Sequence, residues 1–135
     1  MDCPVCKEVM VVLELDEVEI DYCANCGGIW LDSGELELLF DDAKDINKVF
    51  DTFVDDPSHH EKPYKCPICF KRMEKCFVGD TQNIMIDRCK NNDGLWFDKG
   101  ELNDVLKLGS AGEKGKVFNL LKEMFANKIS SNNSE

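Results

Sequence analysis

The stretch that decides the fold runs from Cys3 to Phe40 and reads CPVCKEVMVVLELDEVEIDYCANCGGIWLDSGELELLF. A second stretch starting at Cys66 repeats it as CPICFKRMEKCFVGDTQNIMIDRCKNNDGLWFDKGELNDVL. Cys3, Cys6 and Cys23 align with Cys66, Cys69 and Cys89. Trp30, Asp32, Gly34, Glu35 and Leu36 align with Trp96, Asp98, Gly100, Glu101 and Leu102. The fourth cysteine, Cys26, aligns with Asn92, so the second copy reads as degenerate. Self-similarity over this span predicts two copies of one structural unit.

Each C-x-x-C turn brings two sulfurs within the span of one ion, and 16 residues separate Cys6 from Cys23, enough for a hairpin that returns the chain to its start. Paired C-x-x-C turns at this distance are a zinc signature. Zinc, a d¹⁰ ion, accepts tetrahedral thiolates without redox chemistry, and iron in the same S₄ geometry is the chemical rival. Cys3, Cys6, Cys23 and Cys26 are therefore expected to form a structural zinc site. Cys66, Cys69 and Cys89 supply three ligands of a second site whose occupancy the sequence leaves open. The amide oxygen of Asn92 is a poor zinc ligand beside thiolates. Asp93, next in the chain, or water is the first choice for the fourth position, with an empty site close behind and Cys76, His59 or His60 further back. Disulfides would require an oxidising compartment, and the N-terminal MDCPVCKEVM lacks the apolar segment of a secretory signal. The expected location is the cytoplasm.

The first C-x-x-C followed by EIDYCANCGGIWLDSGEL resembles the TFIIB-type zinc-ribbon family, closely over Cys3 to Phe40 and less closely over Cys66 to Leu106. The resemblance implies a ribbon fold and a zinc site, and places metal ligands on Cys3, Cys6, Cys23 and Cys26 and on Cys66, Cys69 and Cys89. It implies little about activity.

A ribbon of about 40 residues seldom buries enough apolar surface to fold unaided, so metal is first read as structural. No run reaches the ~20 apolar residues of a membrane span. The net charge is −11, with three Lys/Arg against sixteen Asp/Glu in residues 1–56 and thirteen against eleven in residues 57–135. A four-thiolate zinc centre adds about two further negative charges. So acidic a first half repels nucleic-acid phosphates.

The fold class expected is small, metal-stabilised α+β. It comprises two three-stranded antiparallel ribbons, each followed by a helix, and a C-terminal amphipathic helix. The divisions are 1–40 for ribbon one, 41–62 for a helix extension and linker, 63–108 for the degenerate ribbon two, and 109–135 for the last helix and tail. In ribbon one Val9–Leu15, Val18–Tyr22 and Ile29–Leu31 read as strands, the second with the period-two alternation of a half-buried strand. Asp32 and Glu35 read as a capping box, with Asp98 and Glu101 repeating it. From there a helix is expected to align Leu36, Leu39, Ala43, Ile46, Phe50 and Phe53 in a seam, ending where Asp55-Asp56-Pro57-Ser58 opens a linker. Val117, Phe118, Leu120, Leu121, Met124, Phe125 and Ile129 form a second apolar face at helical spacing.

Three readings of function follow. The leading one is a non-enzymatic adaptor that binds a protein partner, or itself, through apolar helix faces. The second is nucleic-acid binding in transcription or translation through Lys62, Lys65, Lys71, Arg72, Lys75, Arg88 and Lys90, although the charge of residues 1–56 weighs against it. The third is an enzyme using an open three-cysteine zinc site in ribbon two. No nucleophile–base pair or phosphate loop accompanies the cysteines, and no catalytic residue is assigned.

Overall fold

The structure, a computed structural model, describes residues 1–15, 17–39, 47, 49–55, 64–79, 84–108, 120 and 123. Ribbon one consists of β1 (Val11–Leu15), β2 (Val18–Tyr22) and β3 (Ile29–Asp32), followed by the short helix α1 (Glu35–Leu38). A two-residue strand, β4 (Val54–Asp55), precedes ribbon two, which has β5 (Glu74–Val78), β6 (Ile84–Arg88), β7 (Gly94–Phe97) and helix α2 (Glu101–Leu106). Among the described residues the seven strands belong to one sheet in the order β1-β2-β3-β7-β6-β5-β4.

The two ribbons meet edge to edge. β3 and β7 pair antiparallel with Ile29 opposite Phe97, Trp30 opposite Trp96, Leu31 opposite Leu95 and Asp32 opposite Gly94. Trp30 and Trp96 are equivalent in the repeat, so an approximate two-fold axis passes between them. Gly28 and Gly94 make this close approach feasible. A Cβ on Gly28 would lie 2.2 Å from the Trp96 ring, and one on Gly94 would lie 2.6 Å from the Trp30 ring. Each indole therefore covers the other ribbon's glycine, and both tryptophans are fully buried.

Period-two alternation sorts the strand residues between two layers. One face carries Leu15, Val18, Ile20, Tyr22, Ile29 and Leu31 from ribbon one with Cys76, Val78, Ile86 and Phe97 from ribbon two. Leu36 and Leu39 from the α1 region, Val49, and Leu102, Val105 and Leu106 of α2 cover that face, giving one shared core. On the opposite face Trp30 and Trp96 pack with Met10, Met73 and the buried cysteines.

Several local expectations are revised. Neither α1 nor α2 has a side-chain cap; each begins at a glycine with positive φ, Gly34 (92°) and Gly100 (87°). Half of the capping box is present, since the Asp32 N–H donates to Glu35 Oε1 at 2.7 Å and the Asp98 N–H to Glu101 Oε1 at 2.8 Å. The aspartate side chains are engaged elsewhere, accepting the indole N–H of Trp30 (2.8 Å) and Trp96 (3.0 Å). Of the expected seam, Leu36 and Leu39 are buried in the molecule's own core and Phe50 and Phe53 pack against it, while Ala43 and Ile46 lie outside the described residues. Residues 49–51 are helical, but Phe53 lies beyond them, with its N–H bonded to the Phe50 carbonyl. Asp55 does not begin a linker but belongs to β4, with Val54 opposite Phe77 and Asp55 opposite Cys76. Of the C-terminal stripe only Leu120 is described; it is helical and packs against the core.

Candidate metal centres

Four backbone knuckles hold the candidate ligands. In the first, the N–H groups of Val5 and Cys6 both donate to Cys3 Sγ at 3.3 Å, and the Lys7 N–H closes the turn onto the Cys3 carbonyl. In ribbon two the Ile68 N–H donates to Cys66 Sγ at 3.4 Å, and Phe70 closes onto the Cys66 carbonyl. The residue after the second cysteine is left-handed in both, Lys7 (φ 67°) and Phe70 (φ 63°). In the third knuckle Gly27 (φ 81°) takes that role, its N–H bonding the Cys23 carbonyl.

The fourth knuckle differs by one residue. Its left-handed position is Asn92 (φ 63°), whose N–H bonds the Cys89 carbonyl, so the turn closes one residue early. Asparagine tolerates this conformation better than most residues. The early turn sends the next side chain inward: Asp93 Oδ2 lies 3.3 Å from Cys89 Sγ and 3.7 Å from Cys66 Sγ. Asn92 itself is exposed and outside the cluster. The Asp93 carbonyl also accepts the Ser33 N–H at 3.0 Å, tying this knuckle to the turn that follows β3.

Two clusters result, Cys3, Cys6, Cys23 and Cys26, and Cys66, Cys69, Cys89 and Asp93, each with all its ligand atoms within 4.8 Å of one another. Thiolates at about 2.3 Å from a tetrahedral zinc stand roughly 3.8 Å apart, and a carboxylate oxygen at about 2.0 Å stands roughly 3.5 Å from them. The separations fit: 3.7 Å for Cys3–Cys26, 3.6 Å for Cys69–Cys89, and the two Asp93 distances. Asn25 Nδ2 donates to Cys6 Sγ at 3.2 Å, an outer contact of the kind that steadies a thiolate ligand. Burial pushes the Cys66 thiol up to about 12 and raises Cys26 and Cys3 above the ordinary thiol value. Without metal these groups keep their protons, and binding must release them.

Of the other ligands weighed, Cys76 is buried in the core, facing away from the Trp30 and Trp96 layer. His59 and His60 lie outside the described residues. The sequence carried a signal for the changed knuckle, since Cys26-Gly27 is replaced by Asn92-Asp93, the loss of a thiol coinciding with replacement of its left-handed glycine.

Around the two clusters the ribbons differ in charge. In ribbon two the fully buried Asp87 pairs with Lys75 Nζ at 2.7 Å, and that ammonium sits 4.9 Å from the Tyr64 ring centroid. The basic cluster expected on ribbon two is thereby reduced, with Lys75 buried, Arg88 paired with Glu74 at 3.5 Å, and Lys62 outside the described residues. Burial raises the Glu101 carboxyl to about 7, with the neighbouring Asp98 and Asp87 charges adding to the shift.

Comparison with known proteins decides the lineage. The profile of the TFIIB-type zinc ribbons, described as a transcription factor zinc-finger, matches residues 2–42 and again residues 65–108. The chain belongs to this family. Each matched region contains one of the two clusters that could hold a metal ion, so this zinc ribbon is a tandem one and binds Zn²⁺. No curated protein and no solved structure gives a significant match. Among the described residues no helix of the ribbon protein is long and apolar enough to cross a membrane.

Proposed function

We propose that this chain is a non-enzymatic adaptor in which two zinc ions hold a protein-binding surface in shape. The observation that carries the reading is the closed second ligand set. Catalytic zinc keeps a position for water or substrate, and Asp93 stands where Cys66, Cys69 and Cys89 would leave one. The acidic first half supports a protein partner over a phosphate backbone. Affinity purification of the chain from its own cells, with metal analysis of the same sample, tests this. One protein recovered in fixed proportion, with two zinc ions per chain, is the expected result. Recovery of nucleic acid without a protein overturns it.

One observation favours a second reading. Phe70, at the tip of the first knuckle of ribbon two, is 71% exposed, and Lys65, Lys71 and Arg72 beside it are exposed as well. An aromatic ring among cations is how a protein stacks on unpaired bases while holding their phosphates. Single-stranded oligonucleotide binding at low salt that is lost in Phe70→Ala would move the assignment to this reading.

A further inference from the structure

The two-fold relation makes each ribbon a control for the other, and the outer edges differ. β5 is equivalent to β1, and its outer side is covered by β4, with Val54 opposite Phe77. Next to it the Gly79 N–H donates to Thr52 Oγ1 at 2.9 Å. β1 ends the sheet, and among the described residues no strand lies beyond it. Coverage there stops at Met10, whose N–H donates to the Met1 carbonyl at 3.0 Å.

The register says which groups are left. Two residues separate the paired Leu15 and Val18, so that pair exchanges hydrogen bonds, and so do Leu13–Ile20 and Val11–Tyr22 by alternation. The N–H and C=O groups of Val12 and Glu14 therefore point away from the sheet. The side chains at this edge are a poor match to water: Val9 is 72% and Val12 62% exposed.

The adjoining face differs in charge as well. Cross-strand partners share a face, which puts Val12 and Glu14 of β1 beside Asp21 and Glu19 of β2, with Asp32 of β3 further in. Glu14 and Glu19 stand directly opposite each other, a like-charge pair that opposes hairpin formation. In ribbon two the corresponding positions are Lys75 for Val12, Phe77 for Glu14, Met85 for Glu19 and Asp87 for Asp21. There the cation is built in, and Lys75 pairs with Asp87.

We propose that the outer edge of β1 accepts an extended basic segment of a partner protein, which adds an eighth strand and sets lysine or arginine at alternate positions over Glu14, Glu19 and Asp21. Such a segment supplies ribbon one with both features that ribbon two contains internally, a covering strand and a cation on the carboxylate row. A second copy of the chain is the wrong occupant, since each copy carries a net charge of −11 and would bring its own carboxylates to the seam. The proposal rests on the adaptor reading and specifies its partner.

The test uses the zinc-loaded full chain and short synthetic peptides of about six residues, the length of a typical strand. One alternates Lys and Val, one has the same composition in two blocks, and one alternates Glu and Val. The alternating basic peptide should bind, more weakly as salt rises, and shift the amide resonances of Val12 and Glu14. The blocked peptide should bind less well and the acidic one not at all. Val12→Pro removes an outward N–H, at a site where an edge strand tolerates proline. This variant should keep its fold, judged by zinc content and dispersed amide resonances, and bind about tenfold more weakly. Equal binding by Val12→Pro, resonance shifts confined to ribbon two, no preference for alternation, or dimerisation of the chain through β1 each overturn the proposal. If the peptides fail while wild-type and Val12→Pro chains capture the same cellular protein, the adaptor reading survives and the edge assignment falls.

Discussion

Replacing Gly94 with alanine attacks the seam between the ribbons at its tightest point. The added methyl would sit 2.2 Å from the Leu31 carbonyl oxygen and 2.6 Å from Cζ2 of Trp30. Ordinary contact requires one side to retreat by about 1 Å, and neither has room. The Trp30 ring is fully buried, and the carbonyl belongs to the strand whose pairing with β7 joins the two halves. Overpacking costs ~1–3 kcal/mol, and each ladder hydrogen bond lost to a backbone shift adds about 1 kcal/mol. A total of roughly 3–5 kcal/mol is expected. Gly28→Ala is the milder equivalent, because its three nearest obstacles are all atoms of the Trp96 ring and none is backbone; ~1–3 kcal/mol is expected. Gly100→Ala meets nothing within 4 Å and should cost only the left-handed backbone strain, about 1–2 kcal/mol. Urea unfolding of the zinc-saturated variants reads the order directly, because the only two tryptophans, Trp30 and Trp96, both report on the seam. A Gly94→Ala protein no less stable than Gly100→Ala would refute the reasoning.

Asp93→Ala should reduce the zinc content from two ions to one by metal analysis, whereas Asn92→Ala should leave both; the opposite pattern would return the ligand role to Asn92. In the wild type a chelator should empty the carboxylate-containing site before the four-thiolate one, giving two phases of release. Glu101→Gln keeps an oxygen for the Asp98 N–H and removes a carboxyl whose value is raised from 4.5 to about 7. The folded state favours the protonated acid, so its stabilising effect is complete below about pH 4.5 and lost as pH rises through about 7; relative to wild type the variant should gain stability between pH 5 and pH 8, and parallel pH profiles would contradict this. Lys75→Met removes the cation beside the buried Asp87 and should cost about 3–5 kcal/mol by denaturant melting, while adding Asp87→Leu should restore most of it; no recovery in the double variant would argue against the broken ion pair as the cause.

The strands were legible because their signals are local. Val18, Ile20 and Tyr22 alternate with Glu19 and Asp21, and all three apolar residues are buried. The four-cysteine set was legible because each knuckle spans only a few residues. What the sequence concealed depends on distant contacts. Asp32 and Glu35 have capping-box spacing, but a buried indole N–H two residues earlier claims the Asp32 carboxylate, leaving Gly34 to start the helix. Val54 and Asp55 have no strand pattern of their own; β5 recruits them as a neighbour. Lys75 looked like part of a basic surface because charge counts along the chain do not show that Asp87 faces it across the sheet. Asp93 was a legible candidate, but its direction depends on a turn closed one residue early at Asn92.

The pairing of β3 with β7 has a consequence for chains that carry one ribbon. Here the seam is only four residue pairs long, too short to hold two free molecules together, yet it forms because one polypeptide supplies both sides. Its symmetry is that of a homodimer whose subunits were joined by duplication: the same strand meets itself, tryptophan against tryptophan and each glycine beneath the other's ring. A single ribbon with the same Gly-x-Trp strand would leave that indole without its cover, and so short a seam would not supply one from a second free molecule. In the fused chain that cover is supplied internally, which releases the two copies to diverge. One has a carboxylate in its cluster, an edge strand and a buried cation, while the other has four cysteines and, among the described residues, an open margin.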